Sequence, residues 1–526
     1  MTRRPPGPEP RPAPPGALPA GPRSTGLALK LAPPLLAGAG ILAAIILYAP
    51  TLFGWFVCDD FWYLAQAQTT TFTEHPLLAL RKGNFYYFRP LPSLAWSVFY
   101  HLFSLEAFWY RLSGLLLHLL VSLAVFRLSR RALKDPAAAA LAAVMFAVHP
   151  LHAEAVCWIS ANADLFAALF AALSLERWLA YREGGVRSAA PALTLAVLAM
   201  LSKESAYVLP VLFLLCELLP GAGDRRRSKA LLAAFAAAAL IFGMKTVLAW
   251  GMVRPPTGAL PLSAWPGSLA LGLVRFAFPA ARSEFAPAVN YLLAAVLLLS
   301  LVRAALRGAE FRAFAFGLLF LVVALLPPSA VSRVGFELQF SRVLYLPSIG
   351  FVIAVAALFA RRGSAMSRRQ GLIAAILAGA LVFSLFAAAA MNLKPWVEAG
   401  RASRSLKSAF EQSAPALRPG EGALVLNVPL TIHGVPFFSN SYDLSLAFAA
   451  AGFPERFKQR RFQDRERLPV YAIHAQAPLI EARMLPIKRL RQLKAGPLAD
   501  FDHILEWDSP WAAALPELPE GDSADH

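Results

Sequence analysis

The chain has 526 residues, of which 57% are hydrophobic and only 16% are charged, a composition that excludes an ordinary soluble domain and indicates a polytopic membrane protein. Its formal net charge of +18 is spread over short Lys and Arg clusters between apolar runs, which is typical of cytoplasmic loops and argues against a nucleic-acid partner. The three cysteines show no metal-ligand spacing and are too few for a disulfide framework.

The N-terminal stretch, residues 1–26, is rich in Pro, Gly and Arg and has no apolar periodicity. We therefore predict a disordered cytoplasmic tail. The apolar run 27–52 is too long for the core of a signal peptide and predicts the first spanning helix. Basic residues that favour a cytoplasmic start for this helix are Arg3, Arg4, Arg11, Arg23 and Lys30.

Apolar lengths and basic clusters together predict eleven spanning segments, an odd number that places the C-terminus outside the cytoplasm. Several segments are shorter than the bilayer is thick and must end in protein-lined water. The predicted segments are 27–52, 112–131, 136–149, 163–181, 188–201, 206–220, 230–250, 289–305, 313–327, 343–360 and 371–391.

Two longer segments are predicted to lie outside the cytoplasm. The first, residues 53–111, is rich in aromatic residues and predicts amphipathic helices lying at the membrane interface. The second, residues 392–526, has ordinary charge content and predicts a small α/β domain with strands near Ala423–Leu430 and Pro469–His474 and a helix near Tyr442–Ala451. The transmembrane domain between the tail and this C-terminal domain is residues 27–391.

Asp59 and Asp60 follow the first apolar run directly. Either one could cap the aromatic helix that begins at Phe61, since Asp side chains accept backbone N–H bonds there. One carboxylate is enough for a cap, and a second beside it adds repulsion unless a metal, an arginine or a proton is shared. The pair therefore favours chemistry over capping alone.

Further polar groups occur at the predicted outer ends of later helices. Four of them, His149, His152, Glu154 and Asp164, lie around one junction between predicted spans. Lys203 and Glu204 lie at another. Such groups mark functional sites in membrane proteins. As an alternative to a functional role, the histidines could lie at the membrane interface or form only structural hydrogen bonds. Lys203 and Glu204 could likewise form no more than an ion pair with each other at a loop tip.

Arg342 and Tyr345 lie about one helical turn apart at the mouth of a predicted span. An arginine offers a planar fork of donors and stays charged, so it suits the phosphate of a lipid headgroup. The alternative is an anchor at the membrane interface.

Four segments carry a resemblance to a known family: Val57-Cys-Asp59-Asp60, Phe146-Ala-Val-His149-Pro150-Leu-His152-Ala-Glu154-Ala-Val-Cys-Trp158, Leu201-Ser-Lys203-Glu204 and Arg342-Val-Leu-Tyr345-Leu-Pro-Ser-Ile-Gly350. In order and topology, residues 28 to 405 resemble the transmembrane part of the TMTC-type proteins. These are relatives of the protein O-mannosyltransferases and belong to the GT-C glycosyltransferases. The fold that this implies is an all-α, GT-C-like bundle of about eleven transmembrane helices with a small C-terminal extracytoplasmic α/β domain.

The resemblance implies a transferase that passes a sugar from a polyprenyl-phosphate carrier to an acceptor hydroxyl outside the cytoplasm. Asp59 or Asp60 would be the base. The residues implied to hold the donor phosphate are Arg342, Lys203, Tyr345 and Arg89. Those implied to line the sugar or acceptor pocket are His149, His152, Glu154, Glu204 and Asp164.

No cofactor is certain, and a divalent metal remains open. The partners that the resemblance implies are a polyprenyl-phosphate sugar, the lipid bilayer and an acceptor protein or envelope glycan, and the expected location is a bacterial plasma membrane. Two features depart from the family: Ser341 replaces an acidic residue before Arg342, and no tetratricopeptide repeat follows Trp396.

Two rival functions stay open at this point. A transporter or flippase of lipid-linked saccharides would also place polar groups between helices. A scaffold that displays the C-terminal domain would explain the topology. It would leave Asp59, Asp60 and the histidine segment, His149–His152, unexplained.

Overall fold

Helices fill most of the chain up to residue 413 in a computed structural model. The residues it describes are 25–69, 89–219, 226–249, 260–281, 283–305, 311–335, 337–360, 367–413, 422–426, 428, 431–438, 470–476, 479–484, 503–506 and 510. Of the predicted tail, only Thr25 and Gly26 fall within them, as the first residues of a helix.

The α-helices, in chain order, are α1 Thr25–Tyr48, α2 Asp60–Thr69, α3 Pro90–Phe103, α4 Ala107–Leu133, α5 Pro136–Ala147, α6 Ala153–Cys157, α7 Asn162–Arg182, α8 Ala190–Ser202, α9 Leu209–Leu215, α10 Arg226–Ala249, α11 Trp265–Ala277, α12 Ala286–Ala305, α13 Phe311–Ser329, α14 Pro347–Ala357 and α15 Arg368–Ser413. Short 3-10 turns lie at Ala49–Phe53, Pro150–His152, Ile159–Ala161, Glu204–Val208, Cys216–Leu218, Leu262–Ala264 and Ser341–Leu344.

Six described helices are long and apolar enough to cross a membrane: α1, α4, α7, α12, α13 and α15. A bent pair, α5 with the segment Pro150–Cys157, makes a seventh. Four shorter apolar stretches correspond to α8, to α9 with the turn before it, to the middle of α10 and to α14. An integral membrane protein is therefore confirmed. Every predicted segment contains a helix, but the count of eleven spans is not confirmed, because these four apolar stretches do not reach bilayer length.

Helix α5 lies at the centre of the bundle and packs against α1, α4 and α14. It can be buried on all sides because eleven of its twelve residues are apolar, seven of them alanine, so neighbouring backbones approach closely. Its N-terminus is capped by Asp135, whose carboxylate accepts the N–H groups of Ala137 at 2.9 Å and Ala138 at 3.3 Å.

The chain bends by 44° between α5 and the segment Pro150–Cys157. Pro150 ends the regular helix because it has no N–H to donate. Asn392 of α15 satisfies backbone groups at the break: its Nδ2 donates to the carbonyls of Pro150 at 3.0 Å and Pro279 at 2.9 Å, and its Oδ1 accepts the N–H of Ala281 at 3.0 Å. The bend turns residues 158–164 back toward the end of the bundle that carries Asp59.

The longest helix, α15, continues across the predicted domain boundary at 391/392 and ends only at Ser413. Charge content rises there, but Ala399, Ala402, Leu406 and Phe410 keep a buried stripe at helical spacing. Composition alone therefore placed the boundary inside a helix.

Beyond α15 the described residues form strands: β1 Gly422–Leu426, β2 Thr431–Ile432, β3 Val435–Pro436, β4 Val470–Gln476, β5 Leu479–Met484 and β6 His503–Glu506. One sheet has the order β5-β4-β1-β6, in which β1 runs antiparallel to β4 and parallel to β6. A separate hairpin pairs β2 with β3. The helix predicted near Tyr442–Ala451 lies outside the described residues.

Candidate functional site

The acidic loop, residues 54–60, leads from the first span into α2 and separates the two aspartates. Cys58 has a positive φ of 53°, and Asp60 is the first residue of α2. This turn sends the neighbouring carboxylates in different directions, so Asp59 is exposed while Asp60 is 0% exposed. The two acids therefore have different environments.

Asp60 is engaged by the surrounding protein. Its Oδ2 accepts the N–H of Val57 at 3.1 Å, and its Oδ1 accepts both the N–H of Ser160 at 2.8 Å and the Ser160 hydroxyl. Arg111 adds a positive charge nearby and donates to the carbonyl oxygens of Trp55 and Cys157. These hydrogen bonds connect the acidic loop to α4 and to the turn after α6. Asp60 therefore has a structural role.

Asp59 is the more available acid. The Cys58 thiol donates to its Oδ1 at 3.6 Å, a weak contact by chemical type. Its side chain reaches solvent, but the protein around it removes part of its hydration, which raises the pKa of the Asp59 carboxyl above its usual value, while the positive charge of Arg342 opposes that rise. An exposed carboxylate with a raised pKa beside a cation suits a general base.

Arg342 is held in a fixed orientation by its neighbours. Its Nη1 donates to Oε1 of Glu154, and its backbone N–H donates to Oε2 at 3.2 Å. The Ser341 hydroxyl also donates to Oε2, at 3.3 Å. The guanidinium lies over the ring of Trp158, 4.5 Å from its centroid, so both its plane and its position are set.

Two more ion pairs lie around the same site. Lys203 Nζ is 2.5 Å from Oδ2 of Asp164, and Arg89 Nη2 is 2.8 Å from Oε2 of Glu204. The predicted alternative of an ion pair between Lys203 and Glu204 is therefore wrong. Lys203 has an extended backbone, with φ −159° and ψ 149°, so successive side chains point to opposite sides.

These pairs form one electrostatic cluster. Burial lowers the pKa of Lys203 most, and Asp164 opposes that effect. The positive charges of Arg89 and Arg342 lower the pKa further. Burial lowers the pKa of Arg342, but the negative charges of Glu154, Asp164 and, last, Asp59 raise it above its usual value. Three cations and the exposed acid are thus within electrostatic range of one another. Each cation is paired with a carboxylate, Arg89 with Glu204, Lys203 with Asp164 and Arg342 with Glu154.

The histidine segment lies elsewhere. His149 and His152 are 0% exposed and pack in the core, where His152 Nε2 pairs with the Ser348 hydroxyl at 2.8 Å. Tyr345 is also fully buried and its hydroxyl pairs with His118 Nδ1 at 2.7 Å. These groups hold the bent pair against α4 and α14, and the structure does not bring them into the electrostatic cluster of Arg342, Lys203 and Arg89.

Several site residues carried little sequence signal. The sequence places Arg111 only at the end of the predicted outer segment 53–111, although an arginine in an apolar helix is itself a signal of a functional or structural role. Ser160 carries no signal of its own, because it bonds Asp60 from 100 positions away. Among the described residues, no group of three His, Cys, Asp or Glu side chains is arranged to hold a metal ion.

We expect the stability of the protein to depend on the protonation of Asp60. Burial raises the pKa of its carboxyl from 3.8 to about 6, against the Ser160 and Val57 hydrogen bonds and the charge of Arg111. The folded state then binds the proton more tightly than the unfolded state, so stability falls as pH rises from about 4 to about 6, by on the order of 3 kcal/mol. Thermal unfolding in detergent measures this.

The control for this prediction is Asp60→Asn, which cannot titrate. As the pH falls from about 6 to about 4, the unfolding temperature of the wild type should rise relative to that of Asp60→Asn. A difference that stays constant between pH 4 and 7 would contradict the assignment of the raised pKa to Asp60.

The comparison with known proteins confirms the resemblance that the four segments carry. The chain is 32% identical over 209 residues to Protein O-mannosyl-transferase Tmtc1 of Drosophila melanogaster, which covers 37% of this chain and 24% of that protein. It is 32% identical over 175 residues to human Protein O-mannosyl-transferase TMTC1, covering 30% and 19%. For mouse Protein O-mannosyl-transferase TMTC2 the identity is 37% over 98 residues, covering 19% and 12%. The matched regions therefore span about a quarter or less of these relatives' lengths.

No family model matches the chain. Among solved structures, an oligosaccharyltransferase of Archaeoglobus fulgidus tethered with an acceptor peptide superposes with a TM-score of 0.46 at 14% identity, covering 81% of this chain and 64% of that one. ArnT from Cupriavidus metallidurans bound to undecaprenyl phosphate gives 0.45 at 14% identity, covering 83% and 87%. TM-scores of 0.46 and 0.45 are too low to support an inference about function.

Proposed function

We propose that this chain is a membrane glycosyltransferase that moves a sugar from a polyprenyl-phosphate donor to an acceptor hydroxyl at the extracytoplasmic surface. The observation that carries the proposal is that the exposed carboxylate of Asp59 lies within electrostatic range of the guanidinium of Arg342, which Glu154 orients. The names of the curated relatives, all protein O-mannosyltransferases, support a sugar as the transferred group. The acceptor is then a hydroxyl on a protein or an envelope glycan.

In the proposed reaction the acceptor oxygen attacks the anomeric carbon of the donor sugar. Asp59 takes the proton from the acceptor hydroxyl as the new C–O bond forms. The bond between the anomeric carbon and the phosphate oxygen breaks, and its electron pair leaves with the polyprenyl phosphate. Arg342, with Lys203 and Arg89 close by, stabilises the negative charge on that phosphate.

Asp60, Glu154 and Asp164 have supporting roles in this proposal. Asp60 fixes the acidic loop, Glu154 orients Arg342, and Asp164 holds Lys203. Direct displacement with a single base would invert the configuration at the anomeric carbon. His149, His152 and Tyr345 are assigned to the core that supports the site.

Arg342→Lys is expected to weaken donor binding about 10- to 100-fold while leaving the folded protein intact. Lysine keeps the charge but loses the planar fork and the stacking on Trp158, and a hydrogen bond to a charged group is worth about 1.5–3 kcal/mol. The measurement is KM for the polyprenyl-phosphate sugar. Arg333→Lys, at an exposed position on the preceding loop, is the matched control, and equal effects of both changes would remove Arg342 from the donor site.

The proposed function is tested by adding a radiolabelled polyprenyl-phosphate sugar to sealed vesicles that contain the protein. A transferase releases free polyprenyl phosphate and places the label on an acceptor hydroxyl. A transporter moves the intact donor across the bilayer with no glycosidic bond broken. Movement of intact donor without transfer would replace the proposal with the transporter.

A further inference from the structure

The acidic loop rests on the far half of α15, beyond the predicted membrane segment. The Trp55 N–H donates to the carbonyl of Gly400 at 3.4 Å, and the Ser403 hydroxyl donates to the carbonyl of Phe56. Gly54 and Gly400 meet backbone to backbone, since a Cβ added at Gly54 would lie 2.8 Å from the Gly400 Cα. Only glycine allows an approach this close.

A second support comes from the hairpin segment, residues 431–438, which follows β1 in the chain. Its turn places His433 and Gly434 at positive φ, 47° and 75°, as a two-residue hairpin requires. His433 Nε2 is 3.1 Å from Oε2 of Glu398 on α15, and Ile432 and Val435 are buried. The hairpin is therefore docked on α15 beside the acidic loop.

The end of the hairpin segment contacts the acidic loop directly. The carbonyl of Phe437 accepts the N–H of Cys58 at 2.8 Å. The ring of Phe438 stacks on that of Phe61, with centroids 5.7 Å apart and planes 11° from parallel. Both phenylalanines are 0% exposed, so these contacts flank Asp59 and Asp60 on either side.

Cys58 needs such support because its conformation is unfavourable. A non-glycine residue at a φ of 53° costs free energy and persists only where the surroundings fix it. The turn at Cys58 is also what separates the exposed Asp59 from the buried Asp60. The bond from Cys58 to Phe437 and the stack of Phe438 on Phe61 fix both ends of this turn.

We infer that the hairpin segment holds the acidic loop in the conformation that presents Asp59 to the site, with Phe438 as its main positioning residue. The C-terminal part of the chain thus contributes to the proposed active site although it lies more than 350 residues from the acids in sequence. The expected effect on activity rests on the proposed glycosyltransferase function. The structural effect does not, and it can be measured by itself.

The test uses the three native cysteines of the full-length protein, which are all buried. Maleimide labelling, resolved by peptide mass spectrometry, reports the opening of each position separately. Phe438→Ala removes the ring stack and should speed the labelling of Cys58 by about tenfold. Cys157 and Cys216 should label at the wild-type rate, and Phe438→Leu should have an intermediate effect.

Thr431→Ala, an exposed change in the same hairpin, is the matched control and should leave all three rates unchanged. Ser403→Ala, which removes the bond to Phe56, should also favour the labelling of Cys58. Unchanged labelling of Cys58 in Phe438→Ala, or equal acceleration at all three cysteines, would overturn the inference.

With a transfer assay, Phe438→Ala should lower kcat by about tenfold and leave KM for the donor unchanged, since the cations of the donor site lie on other elements. A wild-type protein that transfers no sugar would reject the proposed function, while the labelling result would still decide the role of the hairpin segment.

Discussion

Asp59→Asn is expected to abolish most sugar transfer, with kcat reduced about 10²- to 10⁴-fold and the folded state unaffected. The amide cannot accept a proton from the acceptor hydroxyl, and removal of a general base typically has an effect of this size. Folding should persist because Asp59 is exposed and, within the described part of the chain, its carboxylate accepts a hydrogen bond only from the Cys58 thiol. The measurement is the initial rate of transfer with saturating donor and acceptor.

Asp60→Asn is the comparison that makes this result specific. One amide oxygen can still accept from Ser160, but the NH2 group would face the Val57 N–H, and a buried donor left without an acceptor costs about 1–3 kcal/mol. We therefore expect Asp60→Asn to lower stability more than Asp59→Asn does, and to lower kcat less. If Asp60→Asn removed transfer and Asp59→Asn retained it, the roles of the two acids would be reversed.

Hydropathy predicted the positions of the helices well because burial in lipid requires long apolar runs, and every predicted segment contains a helix. It predicted their ends and number less well. Pro136–Ala147 is too short to span and continues through a bend, a feature that depends on Asn392, 242 positions from Pro150. A partner that far along the chain leaves no trace in local composition.

The candidate site shows the same limit at the level of side chains. The types of residue, acids and cations at helix ends, could be predicted, because charged groups are costly inside a membrane and are kept where they act. Their pairing could not. Lys203 binds Asp164 instead of its neighbour Glu204, and the two adjacent aspartates differ in burial because of one positive φ at Cys58.

The histidine segment illustrates why a resemblance in sequence does not assign a role. His149 and His152 are among the most specific residues of the segments that carry the resemblance, yet both are fully buried. His149 packs against Phe276 and Phe351, and His152 packs against Phe146 and Tyr345. A residue that fixes a bend in a helix is as constrained by its surroundings as one that touches a substrate. Burial and hydrogen bonds separate these two cases, and the sequence contains neither.

Gly350→Ala is expected to disrupt the packing of α13 on α14 and so to prevent the site from forming. A Cβ at residue 350 would lie 2.4 Å from the backbone nitrogen of Leu321 and 2.6 Å from the carbonyl oxygen of Gly317. Those atoms belong to a helix backbone, which cannot move aside as a side chain can. Overpacking of this kind costs on the order of 3 kcal/mol, and close helix contacts in membranes depend on small residues.

The effect should reach the site because Arg342 lies in the 3-10 turn Ser341–Leu344 just before α14. A shift of α14 away from α13 would pull the guanidinium from Glu154 and from Trp158. We therefore expect Gly350→Ala to lower the unfolding midpoint in detergent and to lower transfer by whatever fraction of the protein no longer folds. Gly379→Ala is the matched control, since a Cβ there meets no atom within 4 Å. Equal midpoints and equal transfer rates for the two alanine variants would show that the close contact between α13 and α14 limits neither stability nor the formation of the site.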